Sequence, residues 1–86
     1  MKSARTAYFN GNKKLFAGDA DSAIKLYQQA LGVYPGYVAG YRGLGLAYAQ
    51  KGDKKNALKA FRTYLNAVPA AKDIALIKQR MATLQR

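Results

Sequence analysis

Moved 34 positions along itself, the chain meets its own pattern: Gly11 falls on Gly45, Gly18 on Gly52, Asp19 on Asp53 and Ala23 on Ala57. Lys25 falls on Lys59, Leu31 on Leu65 and Pro35 on Pro69, while Ile24 meets Leu58 and Tyr27 meets Phe61. Seven identities and two conservative pairs in 25 aligned positions exceed the roughly one or two that chance supplies. A period of this length confines the chain to stacked supersecondary units, each burying its apolar side only against a neighbour.

The second copy shows the unit most plainly. Tyr41, Leu44, Gly45 and Tyr48 recur at i, i+3, i+4 and i+7, which is one face of a helix. Gly52 suits a left-handed C-terminal cap and Asp53 the N-cap of a second helix. That second helix carries Ala57, Leu58, Phe61, Tyr64 and Leu65 as its apolar stripe. Pro69 ends the unit, because its ring disfavours helical geometry at Val68. Helices joined by so short a turn pack antiparallel. Gly45 and Ala57 are expected to thin the crossing, with Tyr41 and Phe61 filling the space on either side. A glycine inside a helix costs about 1 kcal/mol relative to alanine, and its recurrence as Gly11 at the same phase favours a packing role.

These residues resemble the tetratricopeptide repeat. The second copy fits that family's 34-residue pattern at Tyr41, Leu44-Gly45, Tyr48, Gly52-Asp53, Ala57, Phe61 and Pro69; Tyr64 alone stands where a small residue is usual. The first copy fits in its second half, at Gly18-Asp19, Ala23, Tyr27, Ala30 and Pro35. The resemblance implies an all-α fold of five helices. Two antiparallel helix-turn-helix hairpins, at about residues 4–37 and 38–71, stack as a short right-handed solenoid, and a capping helix follows at about 70–85. Residues 1–86 are then a single domain.

The first helix departs from the pattern. Ala7, Asn10 and Lys14 fill the slots of Tyr41, Leu44 and Tyr48. Its large apolar residues, Tyr8, Phe9, Leu15 and Phe16, are expected to turn away from the usual inner face. Two explanations stand: a terminal repeat that packs imperfectly, or an aromatic stripe that meets a ligand, an upstream helix or another copy of the chain. After Ala70, Ile74, Ile77, Met81 and Leu84 follow helical spacing as a core stripe, opposite the polar Lys72, Lys78, Gln79, Gln85 and Arg86.

In the family the first helix of each pair lines a concave, partner-binding face. Carried over by position, that implies Arg5, Tyr8, Phe9 and Asn12, with Phe16 at the edge, then Arg42, Leu46, Ala49 and Gln50. Guanidinium groups suit carboxylates, an Asn amide suits backbone, and aromatic rings suit apolar anchors. The family's clamp for a chaperone's C-terminal carboxylate needs Lys and Asn four apart in the first repeat. It also needs Asn in the second repeat and Lys with Arg beyond. Here those places hold Arg5, Phe9, Gly43, Asp73 and Ile77, so the clamp is absent.

Charge is the compositional anomaly. Fifteen Lys and Arg oppose four acidic residues, all Asp, for a net charge of +11. Lys13, Lys14, Lys51, Lys54 and Lys55 fall at or near the hairpin turns and are expected on one basic edge. The four Asp all sit near helix starts, where the dipole favours them. Such an excess favours an acidic partner. The leading reading is a scaffold that binds an acidic or amphipathic peptide or protein in its groove. The alternative is nonspecific nucleic-acid or polyanion binding through the basic edge, which is unlike sequence-specific recognition because no DNA- or RNA-binding motif is present.

An enzyme is not expected. The chain has no Cys and no His, which removes imidazole bases, thiolate nucleophiles and the usual zinc ligands. Gly40, Gly43 and Gly45 fall inside a helix and follow no strand, so they form no nucleotide loop. No cofactor or metal is expected. No signal peptide and no membrane span is apparent, and the expectation is a cytoplasmic protein or part of a larger one. Repeat arrays need about three units for a continuous core. Two hairpins and one helix stand near that limit, so a homodimer that hides the first-helix aromatics is also expected.

Overall fold

The computed structural model describes residues 3–85; Met1, Lys2 and Arg86, the last expected on the polar side of the final helix, lie outside the described residues. Five helices follow one another: α1 (Ala4–Phe16), α2 (Ala20–Val33), α3 (Ala39–Lys51), α4 (Lys54–Ala67) and α5 (Ile74–Leu84). No strand occurs among the described residues, and no helix among them is long and apolar enough to cross a membrane.

The hairpin turns are two copies of one device. Gly18 and Gly52 take φ values of 82° and 89°, the left-handed region that closes a helix. The next residue then bonds back into the preceding helix, Asp19 N to Lys14 O and Asp53 N to Tyr48 O, each at 2.9 Å. The same two aspartates cap the following helices, accepting from Ser22 N at 3.1 Å and Asn56 N at 3.2 Å. Hydrogen bonds from the side chains, and then the backbones, of Ser22 and Asn56 hold both carboxyls below the usual carboxylate range. At the other end of each unit Tyr34 and Val68 leave helical geometry just before Pro35 and Pro69.

Each hairpin closes on an aromatic ring seated against bare backbone. Tyr27 and Phe61 are wholly buried. A Cβ added to Gly11 would lie 2.7 Å from the Tyr27 ring, and one added to Gly43 would lie 2.5 Å from it on the neighbouring helix. Tyr27 is therefore held between α1 and α3, and it joins the two hairpins. The ring of Phe61 lies directly on Gly45. The sequence reading placed Phe61 beside the crossing and Gly45 against Ala57; instead the glycine makes room for the ring itself, because a flat ring packs closest where no side chain projects.

Within α1, Ala4, Ala7 and Gly11 are buried, and Tyr8 and Leu15 are half-buried against the Tyr27 cluster. The expectation that all four large apolar residues turn away from the inner face is thus corrected for Tyr8 and Leu15. Small residues on α1 bring its backbone close, and its larger side chains then wrap round Tyr27 from the flank. Phe9 and Phe16 do turn outward, 47% and 90% exposed. On α5, Ile77 is fully buried beside Phe61 and Tyr64, with Met81 and Leu84 packed at the margin.

Candidate functional site

The groove is built by one register used three times. On α1, Tyr8, Asn12, Leu15 and Phe16 line it; on α3, Arg42, Leu46, Ala49 and Gln50 do so, each 34 positions on. Both sets follow i, i+4, i+7 and i+8, so each lies along a single helix face. A further 34 positions give Leu76, Arg80, Thr83 and Leu84 on α5. Arg80 closes the groove, which encloses about 700 Å³, and all four of these α5 residues with Ala49 line a smaller hollow of about 310 Å³ beside it. In this respect α5 is the first helix of a third unit. Its other face differs: where α3 sets Tyr41, Leu44, Gly45 and Tyr48 into the hairpin, α5 has Ala75, Lys78, Gln79 and Ala82, all exposed.

Seven of the nine residues expected to bind a partner line this groove: Tyr8, Asn12, Phe16, Arg42, Leu46, Ala49 and Gln50. Arg5 and Phe9 stand outside its lining, with the Arg5 guanidinium 5.5 Å over the Phe9 ring, a pairing that i, i+4 spacing on one helix favours. Sequence reasoning passed over Leu15 and Arg80. The 34-residue step from Ala49 back to Leu15, and from Leu46 on to Arg80, was the signal that points to both.

Several lining groups already have work inside the fold. The Tyr27 hydroxyl donates to Asn12 Oδ1 at 2.6 Å, so the Asn12 amide is fixed with its NH2 left to face the groove. Burial pushes the Tyr27 hydroxyl up to about 12 and keeps it a donor. Gln50 Nε2 donates to Leu15 O at 3.1 Å, capping a carbonyl at the end of α1 and tying that end to α3. Arg42 Nε donates to Asp73 Oδ2. The other oxygen of Asp73 accepts from the Tyr64 hydroxyl at 2.8 Å. Burial opposes the charge on Asp73, but the bonds from Arg42 and Tyr64 prevail and lower its pKa.

Two expected residues thus meet each other. Arg42, expected as a groove guanidinium for a partner's carboxylate, pairs through Nε with a carboxylate of its own chain. Asp73 stands at the start of α5 as expected, without a side-chain cap there, and its carboxylate reaches across to α3 and α4. Tyr64, the one departure from the repeat pattern in the second copy, is the residue that completes this latch.

The family model for the tetratricopeptide repeat matches residues 4–72, which takes in α1 to α4. The chain belongs to the tetratricopeptide repeat family. Such repeats are non-catalytic scaffolds that generally mediate protein–protein interaction. A search of the curated proteins finds no match.

The lysines expected on one edge are all exposed at the hairpin tips of this tetratricopeptide array: Lys13 and Lys14 end α1, Lys51 ends α3, and Lys54 and Lys55 begin α4. The tips adjoin, as the Gln50–Leu15 bond and a 2.7 Å ion pair from Lys51 to Asp21 show. Lys51 is thereby partnered, and its pKa is raised by the hydrogen bond it donates to Asp21. No ion pair holds the other four among the described residues.

Proposed function

We propose that the chain is a protein-interaction module whose concave groove takes an acidic or amphipathic segment of a partner protein. One observation carries this reading: among the described residues no acidic residue lines the groove, and every Asp side chain is engaged within the fold. Asp19 and Asp53 cap helices, Asp21 holds Lys51 and Asp73 holds Arg42. The positive charge is left for a partner to balance. Phe16 and Leu46 supply apolar surface in the same groove.

Capture of partners by the wild type and by a Phe16→Ser, Leu46→Asp form, at low and high salt, tests this. A discrete protein kept by the first and lost by the second places the interface in the groove. Phe9 and Phe16 are also what a homodimer would cover, and sedimentation of the wild type beside Phe16→Ser distinguishes self-association from binding a different protein.

A second reading has its own support. Lys54 and Lys55 occupy the first turn of α4, where the helix dipole disfavours cations. Lysines kept at an unfavourable place fit polyanion binding through the hairpin tips. Retention of nucleic acid that salt releases, indifferent to the groove substitutions but lost on Lys54→Gln, Lys55→Gln, would establish it over the groove.

A further inference from the structure

Two arginines line the groove, and they are not equivalent. Arg42 is paired: its Nε donates to Asp73, whose second oxygen is taken by Tyr64. Arg80 is exposed and forms no ion pair among the described residues. The groove therefore presents one uncompensated guanidinium, on α5, although its lining holds two. On the opposite wall, the Asn12 amide offers its NH2 because its oxygen is committed to Tyr27. The Phe16 ring stands 90% exposed on the same helix, and Leu46 and Ala49 form the floor between the walls.

Resting on the groove-binding reading above, we propose that the ligand is an extended peptide segment that crosses from α1 to α5. It carries one apolar side chain for Phe16 and Leu46, a backbone carbonyl for Asn12, and a single carboxylate for Arg80. Charge complementarity names the occupant: Arg80 meets no acid among the described residues. The Asp73 pairing sets the number of carboxylates, because it already balances the charge on Arg42. Two helix-to-helix steps of about 8–10 Å each set the apolar and acidic residues about five or six residues apart in extended chain, at about 3.3 Å per residue.

The test uses labelled ten-residue peptides of glycine and serine carrying one leucine, with a glutamate either five or two residues further on. Each has a counterpart with glutamine in place of glutamate. Binding is read by fluorescence anisotropy near physiological salt, and the site by amide chemical shifts on α1, α3 and α5. With the wide spacing, glutamate is expected to bind about fivefold tighter than glutamine. That advantage should vanish in Arg80→Gln, whose exposed side chain leaves the fold unchanged. The close spacing should show little advantage in either protein. A second glutamate should add more affinity in Asp73→Asn than in the wild type.

If leucine peptides shift the α1 and α3 amides but the glutamate advantage persists in Arg80→Gln, the Arg80 assignment is overturned and the groove reading stands. Equal gains from a second glutamate in wild type and Asp73→Asn overturn the balancing of Arg42 by Asp73. If no peptide shifts the groove amides, the groove reading itself fails, and this inference with it.

Discussion

Gly45 and Phe61 are so close that a methyl group on the glycine would enter the ring, and Gly11 stands in the same relation to Tyr27 one repeat earlier. Both rings are fully buried and have nowhere to retreat. Gly45→Ala is therefore expected to destabilise by about 1–3 kcal/mol through overpacking, against a helix-propensity gain of about 1 kcal/mol. Gly32 supplies the control. It lies in α2 with no neighbour within 4 Å of an added Cβ and no positive φ, so Gly32→Ala should stabilise by about 0.5–1 kcal/mol. Urea unfolding of the two variants checks the opposite signs; equal effects would mean that propensity, not the ring, decides.

Gly52 is required for a different reason. Nothing crowds an added Cβ there, but its φ is +89°, and a side chain in that region costs about 1–2 kcal/mol. Gly52→Ala is expected to destabilise by that amount and Gly52→Asn by less, since asparagine tolerates the left-handed region better. Thermal melts of the two variants decide it. If alanine and asparagine cost the same, backbone strain is not the cause.

The helices and their caps were legible in the sequence because each rests on short-range rules, and the groove register followed from the resemblance to the repeat family. The Gly-Asp pairs at 18–19 and 52–53 closed one helix and capped the next in both copies. Phe16, Leu46 and Asn12 fell on the lining through the positions that the resemblance to the repeat family carried over. The Arg42–Asp73 latch was not legible. Its partners lie 31 residues apart on helices from different units, and Asp73 at the start of a helix reads as a dipole residue. Nor does spacing reveal that Gln50 caps α1 or that Tyr27 fixes Asn12, since those depend on how one hairpin sits on the next. Arg80 was within reach, one period beyond Leu46, but the last helix was read only for its core stripe.

Asp73 fastens the start of α5 to α3 and α4. Asp73→Asn or Tyr64→Phe should cost about 1 kcal/mol, the latch being part-exposed, and should speed amide exchange in α5 more than in α1 to α4. The pH dependence follows from the direction of its shift. The folded pKa lies below the ordinary 3.8, so the unfolded chain binds the proton first as pH falls. The contribution is whole above about pH 4 and is lost as pH drops through the lowered value. Native-state exchange across that range should show the α5 amides losing protection earlier than those of α2. Uniform loss along the chain would contradict the latch.

At the alkaline end the controlling group is Tyr27. Burial raises its pKa from 10.0 to about 12, so the folded protein resists an ionisation that the unfolded chain accepts. The sign is then fixed: stability is unaffected below pH 10 and falls as pH rises from there towards 12. Ionisation would also put a negative charge against Asn12 Oδ1, which now accepts the bond, and would oblige the amide to turn its NH2 away from the groove. Tyr27→Phe removes both effects. It should cost about 0.5–1.5 kcal/mol at neutral pH through the lost hydrogen bond, and it should flatten the alkaline decline. Unfolding monitored by helix content between pH 9 and 12, in parallel with tyrosine absorbance, checks this. A wild type and a Tyr27→Phe variant that decline together would show that another tyrosine governs the transition.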